Sequence, residues 1–211
     1  MKPEGYYLAG REDLVEMLPR PLGRVLDVGC GAGNVARGLR GAGASEIWGI
    51  EVVPEMAARA RDAVDEIIVG TVEDALAGDR LQGPFDTIVC YDVLEHLVDA
   101  QVVLDGLRAV AAPGARLHVS VPNARNFTLI YDLLVRGTFG YTEYGHRDST
   151  HLRWFTRRDI AAAVERAGWS VQDVRPNVFR GRDRPTDRLT RGRLREFIAL
   201  QWTVLATAPP S

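Results

Sequence analysis

Short apolar runs alternate along the chain with longer stretches whose apolar residues recur every three or four positions. Five runs are nearly continuous and rich in β-branched residues: 24–29, 46–51, 66–70, 86–92 and 116–122. Such runs are typical of parallel strands buried on both faces. Helical patterns lie between them and carry proline start and glycine stop signals. We therefore predict an open, mostly parallel α/β sheet with helices on both faces.

The strand–helix rhythm breaks after Pro122. Residues 123–156 hold a predicted amphipathic helix (NFTLIYDLLVRG) and then a loop rich in glycine and tyrosine. An insertion of this length in a compact domain is usually functional. Thr156, with Asp159 three positions on, resembles a capping box that starts another helix. Two further strands are predicted, at 169–176 and 195–209.

Composition indicates one globular domain spanning residues 1–211. The chain is 46% apolar and 26% charged, with a net charge of −2, which gives no overall attraction to nucleic acid or membrane. Neither a signal peptide nor a membrane-spanning run is recognisable. The two cysteines, Cys30 and Cys90, lie in apolar runs and suggest no disulfide framework, so a cytoplasmic location is expected.

Residues 180–195 (RGRDRPTDRLTRGRLR) contain seven arginines. The preferred interpretation is a solvated loop, and a phosphate- or nucleic-acid-binding patch is the alternative. Asp183 and Asp187 interrupt the positive charge, and aromatic residues for base stacking are missing, which argues against nucleic acid.

The turn after the first strand has the composition of a ligand-binding loop. In VLDVGCGAGN (25–34), glycines at 29, 31 and 33 permit a sharp turn and a close approach of a ligand to the backbone. The helix that follows offers unpaired N–H groups. A dinucleotide fingerprint requires glycine or alanine where this chain has Asn34, which argues against an NAD enzyme.

Acidic residues follow or end several predicted strands. Asp27 precedes the glycine turn, where it would repel a pyrophosphate but suit an ammonium group. Glu51 ends the second strand and is placed to accept hydrogen bonds from ribose hydroxyls. Either Glu73 or Asp74 could meet an adenine amino group. These positions together predict a site for a nucleoside that carries a positively charged tail.

The same motifs resemble those of the class I S-adenosylmethionine-dependent methyltransferases. The resemblance rests on VLDVGCGAG, Glu51, TVED (71–74), FDTIVCYDVLEHL (85–97) and APGARLHVSVPN (112–123). It implies a Rossmann-like, doubly wound, seven-stranded sheet whose last strand is antiparallel, with a substrate-binding insertion after strand 5. It also implies S-adenosylmethionine as cofactor and S-adenosylhomocysteine as product. A sheet without a cofactor is the alternative.

In similar enzymes the N-terminal region, here residues 1–20, folds over the cofactor as a cap. Arg11 would then meet the carboxylate of the methionine part, although an ordinary amphipathic helix surface is equally compatible with this segment. The resemblance implies the following cofactor-binding residues: Tyr7, Arg11, Asp27, Gly29, Cys30, Gly31, Asn34, Glu51, Val52, Thr71, Val72, Glu73, Tyr91, Asp92 and His96.

The stretch DVLEHL (92–97) resembles the EVLEHV of the ubiquinone-pathway O-methyltransferases, in which the equivalent residues are associated with a divalent metal. On a helical turn, Asp92, Glu95 and His96 would share one face. Two carboxylates and one imidazole are also common without an ion, with the acids capping the helix and His96 packing against the cofactor. A divalent metal is therefore possible but not favoured, and no metal ligands are predicted.

The stretch DSTHLRWFTRRD (148–159) resembles the HLRFFT segment of this methyltransferase branch. The resemblance implies that His151 faces the acceptor, with His146, Tyr141 and Tyr144 on the loop that closes over it. Asn123 and Asn126 are expected at the mouth of the pocket. Histidine is the side chain best suited to take a proton near neutral pH, so His151 or His146 is the predicted general base. Alternatively, His151 only hydrogen-bonds the loop in place.

The sequence therefore predicts methylation of a small molecule, with a phenolic or sugar hydroxyl as the preferred acceptor. N-methylation of a small amine, which requires no protein base, is the main alternative. A protein that holds S-adenosylmethionine without catalysis is a third. The predicted partner is the small-molecule acceptor, with no nucleic acid and no membrane, and the chain is expected to be a monomer or a homodimer.

Overall fold

A computed structural model describes residues 11–177 and 194–210 of the chain. Seven strands form one sheet in the order β3-β2-β1-β4-β5-β7-β6. Strands β1 to β5 pair in parallel, and β7 is antiparallel to both β5 and β6. The predicted Rossmann-like sheet with an antiparallel last strand is confirmed. The strands are β1 Arg24–Val28, β2 Glu46–Glu51, β3 Glu66–Val69, β4 Phe85–Tyr91, β5 Ala111–Pro122, β6 Ser170–Asn177 and β7 Gln201–Thr207.

Helices connect most of the strands, and a short 3₁₀ helix, Leu94–His96, follows β4. Among the residues described, every helix is too short or too polar to span a bilayer. The helices are α1 Glu12–Val15, α2 Asn34–Gly41, α3 Pro54–Ala60, α4 Val72–Ala77, α5 Ala100–Ala109, α6 Phe127–Leu134, α7 Arg157–Arg166 and α8 Arg195–Ile198.

The sheet is buried on both faces, which explains the continuous apolar runs. Along β1, Leu26 and Val28 pack into the apolar cluster on one face, and Val25 packs into the cluster on the other. Helices α5 and α7 cover the first face, whereas α1 and α2 cover the second. Because side chains alternate along a strand, a run with two buried faces is apolar at most of its positions, with Asp27 the buried exception near the end of β1.

The capping box at the start of α7 forms as predicted. The Thr156 hydroxyl accepts from the backbone N–H of Asp159 at 3.3 Å, and an Asp159 carboxylate oxygen accepts from the Thr156 N–H at 3.2 Å. The predicted single strand over 195–209 is wrong, because the segment divides into α8 and β7 at Leu200. Most of the arginine-rich stretch, 180–193, lies outside the described residues, as does Tyr7.

The strand order brings the two halves of the sheet together at one crevice. The chain leaves β1 toward β2 on one side, and β4 pairs with β1 on the other. In open α/β sheets, ligands bind outside the carboxyl ends of the strands at such a switch point. Since β7 runs antiparallel, its first residue lies at this same edge, where Gln201 pairs with Pro122 at the end of β5.

Candidate active site

A cavity of about 630 Å³ opens at the carboxyl ends of β1, β2 and β4. Every predicted cofactor-binding residue within the described range lines it. These residues are Arg11, Asp27, Gly29, Cys30, Gly31, Asn34, Glu51, Val52, Thr71, Val72, Glu73, Tyr91, Asp92 and His96. Residues from distant parts of the sequence therefore converge on one concave surface, as a ligand site requires.

The turn after β1 requires glycine. Gly29 has a φ of 71°, in the left-handed region, and a Cβ atom there would lie 2.5 Å from Val93 Cγ2. The N–H groups of Gly29 and Cys30 donate to the carbonyl of Ile50, at 2.8 and 3.1 Å. The turn is thus fixed against β2 and leaves its inner surface open to the cavity.

Asp27 is a buried carboxylate that faces the cavity. Its side chain is only 2% exposed, and its Oδ2 atom has no hydrogen-bond partner within the described part of the chain. Burial, and then the negative charge of Glu51, raise the pKa of Asp27 to about 7. A cation in the cavity would supply the missing counter-charge. This site therefore fits the ammonium group of S-adenosylmethionine.

Glu51 is held by the backbone on both of its carboxylate oxygens. Its Oε2 accepts from the N–H of Gly31 and its Oε1 from the N–H of Val53, each at 2.8 Å. A carboxylate oxygen can accept more than one hydrogen bond, so each retains capacity for a ribose hydroxyl.

Glu73 and Asp74 differ in their contacts at the start of α4. The Thr71 hydroxyl donates to Asp74 Oδ2 at 2.7 Å and accepts from the Asp74 N–H at 3.1 Å. Asp74 is thus used to start the helix, whereas Glu73 lines the cavity.

Three polar side chains form a closed triangle at the Arg11 end of the cavity. Arg11 donates to the Asp92 carboxylate and, at 2.7 Å, to Gln201 Oε1. Gln201 Nε2 in turn donates to Asp92 Oδ1 at 2.5 Å. The Arg11 guanidinium also lies 5.9 Å from the centre of the Tyr91 ring. A cation is thereby fixed on the wall of the cavity.

The Tyr91 ring that Arg11 contacts is itself held in place by His118. Its hydroxyl lies 2.7 Å from Nδ1 of His118. Burial, and then the charges of Arg11 and Arg175, lower the pKa of His118 to about 4. We therefore assign a neutral His118 ring whose Nδ1 accepts a hydrogen bond from the Tyr91 hydroxyl.

The expected helical face of Asp92, Glu95 and His96 does not form. Asp92 has a φ of 57°, and the 3₁₀ helix begins only at Leu94, so Asp92 points to Arg11 and Gln201. Instead, Glu95 and His96 lie beside His151, and the ligand atoms of these three residues are all within 4.8 Å of one another. A left-handed residue at the end of β4 redirects the chain and separates Asp92 from the other two.

His96 and His151 form a pair in which only His96 reaches the cavity. Their ring centres are 4.8 Å apart with an interplanar angle of 63°. His96 Nδ1 lies 3.1 Å from both the carbonyl oxygen and the hydroxyl of Thr150, and that hydroxyl donates its own proton to Asp148 Oδ1 at 2.7 Å. Because a carbonyl can only accept, we assign the proton of the neutral ring to Nδ1 and the lone pair to Nε2. Thr150 also lines the cavity, whereas His151 is 6% exposed and does not.

His146 does not line the cavity either. Its Nε2 lies 2.8 Å from the carbonyl oxygen of Leu200, immediately before β7. Burial lowers the pKa of His146, and the hydrogen bond to Leu200 opposes that shift. The position of His146 ties the loop of the 123–156 segment to the edge of the sheet.

The two asparagines expected at the pocket mouth are buried and occupied by other contacts. Asn123 donates to the carbonyls of Glu196 and Ala199, at 2.7 and 2.9 Å, and accepts from Trp202 Nε1. Asn126 donates to Ala199 and caps α6. Both amides therefore hold the end of β5 against the α8–β7 turn, which corrects the expectation that they contact the acceptor.

Tyr141 and Tyr144 are 61% and 62% exposed and do not line the cavity. The Tyr141 ring packs against Phe139, whose ring also contacts Trp154, with centres 5.1 and 5.7 Å apart. These rings form an exposed aromatic group on the outer side of the segment.

Two polar side chains at the cavity or its edge, those of Thr150 and Gln201, were not predicted. Thr150 was missed although it precedes His151, because a loop gives no periodicity from which side-chain direction follows. Gln201 was missed because β7 was predicted to begin earlier. The predicted antiparallel direction of the last strand was the signal that could have found it, since the start of such a strand lies at the ligand edge.

Comparison with known proteins agrees with this architecture. The family model of the methyltransferase domain matches residues 5–174. The chain is 32% identical over 183 residues to a ubiquinone biosynthesis O-methyltransferase of Xylella fastidiosa, covering 78% of this chain and 69% of that protein. It is 31% identical over 175 residues to the protein of that name from Xanthomonas oryzae, covering 80% and 69%.

Solved structures show the same fold. An S-adenosylmethionine-dependent methyltransferase from Mesorhizobium loti matches with a TM-score of 0.63 and 20% identity, over 94% of this chain and 98% of that one. One from Archaeoglobus fulgidus matches with a TM-score of 0.68 and 15% identity, over 96% and 99%. The chain belongs to the methyltransferase-domain family. Within that family, it is an S-adenosylmethionine-dependent methyltransferase.

Proposed function

We propose that the protein transfers a methyl group from S-adenosylmethionine to a hydroxyl of a small molecule. The observation that carries this proposal is His96, which lines the cavity and whose assigned lone pair is on Nε2. A hydroxyl must lose its proton during methylation, and a neutral imidazole is suited to take it. The relatives whose printed name is O-methyltransferase support a hydroxyl acceptor.

Four charged residues each bind a different part of the cofactor. Asp27 binds the ammonium group and Arg11 the carboxylate of the methionine part. Glu51 accepts from the ribose hydroxyls, and Glu73 accepts from the adenine amino group. S-adenosylmethionine supplies an electrophilic methyl group, so the protein mainly has to orient the acceptor and exclude water.

The histidine pair supplies the base. His96 takes the acceptor proton on Nε2, while the Thr150 carbonyl keeps the other nitrogen of the ring as a donor and fixes the ring plane. His151, one of the two bases predicted from the sequence, does not line the cavity. Its ring packs against the His96 ring and helps to hold it in place. His146 holds the loop in place through Leu200.

The acceptor lies at the side of the cavity formed by Leu97, Val98 and Thr150. This wall is mostly aliphatic, with Val98 71% exposed, and His96 is next to it. Apolar surface with a few convergent polar groups suits a small, partly apolar molecule that carries a hydroxyl. The segment 123–156 contributes Thr150 to this wall and belongs to the same single domain.

Transfer of labelled methyl from S-adenosylmethionine to a phenol such as catechol should exceed transfer to a small primary amine. The rate with catechol should rise with pH, because a general base acts only in its deprotonated form. Radiolabel incorporation across a pH series measures this, with 1,2-dimethoxybenzene as the acceptor control that lacks a hydroxyl. Transfer to the amine alone would favour N-methylation, and binding without transfer to any acceptor would favour a non-catalytic protein.

Activity should survive an excess of EDTA. The chelator tests the Glu95, His96 and His151 group, which could hold an ion. Asp92, the further acid suggested by the resemblance to metal-associated relatives, is bound to Arg11 and Gln201 instead. Methyl transfer is compared in EDTA and in EDTA saturated beforehand with Mg²⁺. Loss of activity in EDTA alone, restored by a divalent ion, would assign the group to a metal.

A further inference from the structure

Gln201 is a cavity-edge residue to which neither the motifs nor the proposed mechanism assigns a role. It lies at the first position of β7, where its backbone pairs with Pro122 of β5 and Asn177 of β6. Strands on both sides therefore fix the Cα atom from which the side chain extends. The side chain reaches Arg11 and Asp92, which are far from it in the sequence and do line the cavity.

The contacts determine the orientation of the Gln201 amide. Arg11 can only donate, so the atom that faces it must be the carbonyl oxygen. The Asp92 carboxylate accepts, so the atom that faces it must be the NH₂ group. One amide thus pairs a cation and an anion at the same time, at 2.7 and 2.5 Å, which neither a hydrocarbon nor a carboxylate could do.

The hydrogen bond from Arg11 to Gln201 helps to fix the position of the Arg11 guanidinium. Its NH1 nitrogen donates to Asp92, its NH2 nitrogen donates to Gln201 and, at 3.4 Å, to Ser120 Oγ, and the Tyr91 ring lies 5.9 Å away. Arginine has five N–H groups, so hydrogens remain for a carboxylate in the cavity. A guanidinium held in this way loses little freedom when it binds, which raises affinity. A neutral amide also adds no further negative charge where a second anion must enter.

We propose that Gln201 is a positioning residue that orients Arg11 and Asp92 for the amino-acid end of the cofactor. The proposal rests on the proposed role of Arg11 toward the cofactor carboxylate. It predicts an effect confined to ligands that have an amino-acid end. The nucleoside end is assigned to Glu51 at the end of β2 and Glu73 in α4, away from β7, so its binding should be unaffected.

The variant Gln201→Met retains the length of the side chain and removes both hydrogen bonds. Its dissociation constant for S-adenosylhomocysteine should rise about tenfold, which corresponds to one or two net hydrogen bonds. Its dissociation constant for 5′-methylthioadenosine, which lacks the amino-acid part, should stay unchanged. With saturating cofactor, kcat should be retained while the KM for S-adenosylmethionine rises. Isothermal titration with each ligand measures the two affinities.

The matched control is Thr203→Val, two residues along the same face of β7, where the buried Thr203 hydroxyl has no hydrogen-bond partner among the described residues. It should bind both ligands as the wild-type protein does. Equal weakening of both ligands in Gln201→Met would indicate general damage to the site and overturn the proposal, as would unchanged affinity for S-adenosylhomocysteine. A wild-type protein that binds neither ligand would instead overturn the proposed cofactor site, and this inference with it.

Discussion

The variant Asp27→Asn should lose cofactor binding and yet unfold less readily than the wild-type protein at pH 8. The lost pairing with the ammonium group should weaken S-adenosylhomocysteine binding about 100-fold or more. Stability should rise because the ionised carboxylate is buried without a complete set of partners. Isothermal titration and urea unfolding at pH 8 measure the two effects. Asp79→Asn, which removes an exposed carboxylate, is the control for net charge.

The sign of the stability effect follows from the pKa of Asp27. Folding raises that pKa from 3.8 to about 7, so the folded protein binds the proton more tightly than the unfolded chain. The ionised group therefore destabilises the fold above pH 7, and this destabilisation is lost as the pH falls from about 7 toward 3.8. Three pKa units set an upper limit of about 4 kcal/mol at pH 8. The stability difference between variant and wild type should shrink at pH 5.

Cofactor affinity should depend on the same titration. Below pH 7 the free protein holds a proton on Asp27, which must leave before the carboxylate can pair with an ammonium group. The dissociation constant of S-adenosylhomocysteine should rise up to about tenfold for each pH unit below 7 in the wild-type protein. An affinity that is constant between pH 8 and pH 5.5 would contradict the assignment of Asp27 to the ammonium group.

The variant His96→Gln should lower kcat about 100-fold or more while leaving cofactor affinity within a few-fold of wild type. Removal of a general base produces a loss of this size when the acceptor must be deprotonated. His151→Gln should lower kcat less, about tenfold, because His151 acts through its contact with the His96 ring. Steady-state kinetics with a phenolic acceptor at several pH values measures both.

Two features separate a lost base from a distorted pocket in these variants. The pH dependence of kcat should flatten in His96→Gln, and added imidazole should restore part of the rate. If His151→Gln shows the larger loss and the flatter profile, the base is His151, as first predicted from the sequence. If neither variant loses activity on a hydroxyl, neither histidine is the base.

The cofactor side of the cavity could be predicted because its residues follow buried strands. A run such as 24–28 is apolar on both faces, so the strand and its end are visible in the pattern, and Asp27 and Gly29 mark the turn that follows. Parallel strands place their carboxyl ends at one edge, which brings Glu51 close to the β1 turn. The order of the strands was implied only by resemblance to a known family, since apolar periodicity does not identify neighbours.

The acceptor side could not be predicted in the same way, because loops have no periodicity. Asn123 and Asn126 are polar residues just past a strand, where an exposed ligand contact and a buried backbone contact look the same in sequence. The α8–β7 turn leaves carbonyls that need donors, and these two amides supply them. The predicted shared face of Asp92, Glu95 and His96 was wrong for a backbone reason: Asp92 has a φ of 57°, and no glycine at that position signals a left-handed residue.

The position of β7 between β5 and β6 also affects how the chain can assemble. Strands β1 to β5 can pair in the order in which they are synthesised, but β6 leaves the ribosome before β7, which in the described sheet is the strand that it pairs with. Until Gln201–Thr207 emerges, β5 remains an open edge and β6 has no place in the sheet. Unpaired edges of this kind are where growing chains associate wrongly. The sheet, and with it the Arg11 end of the cavity, is therefore completed only after the rest of the described fold has been made.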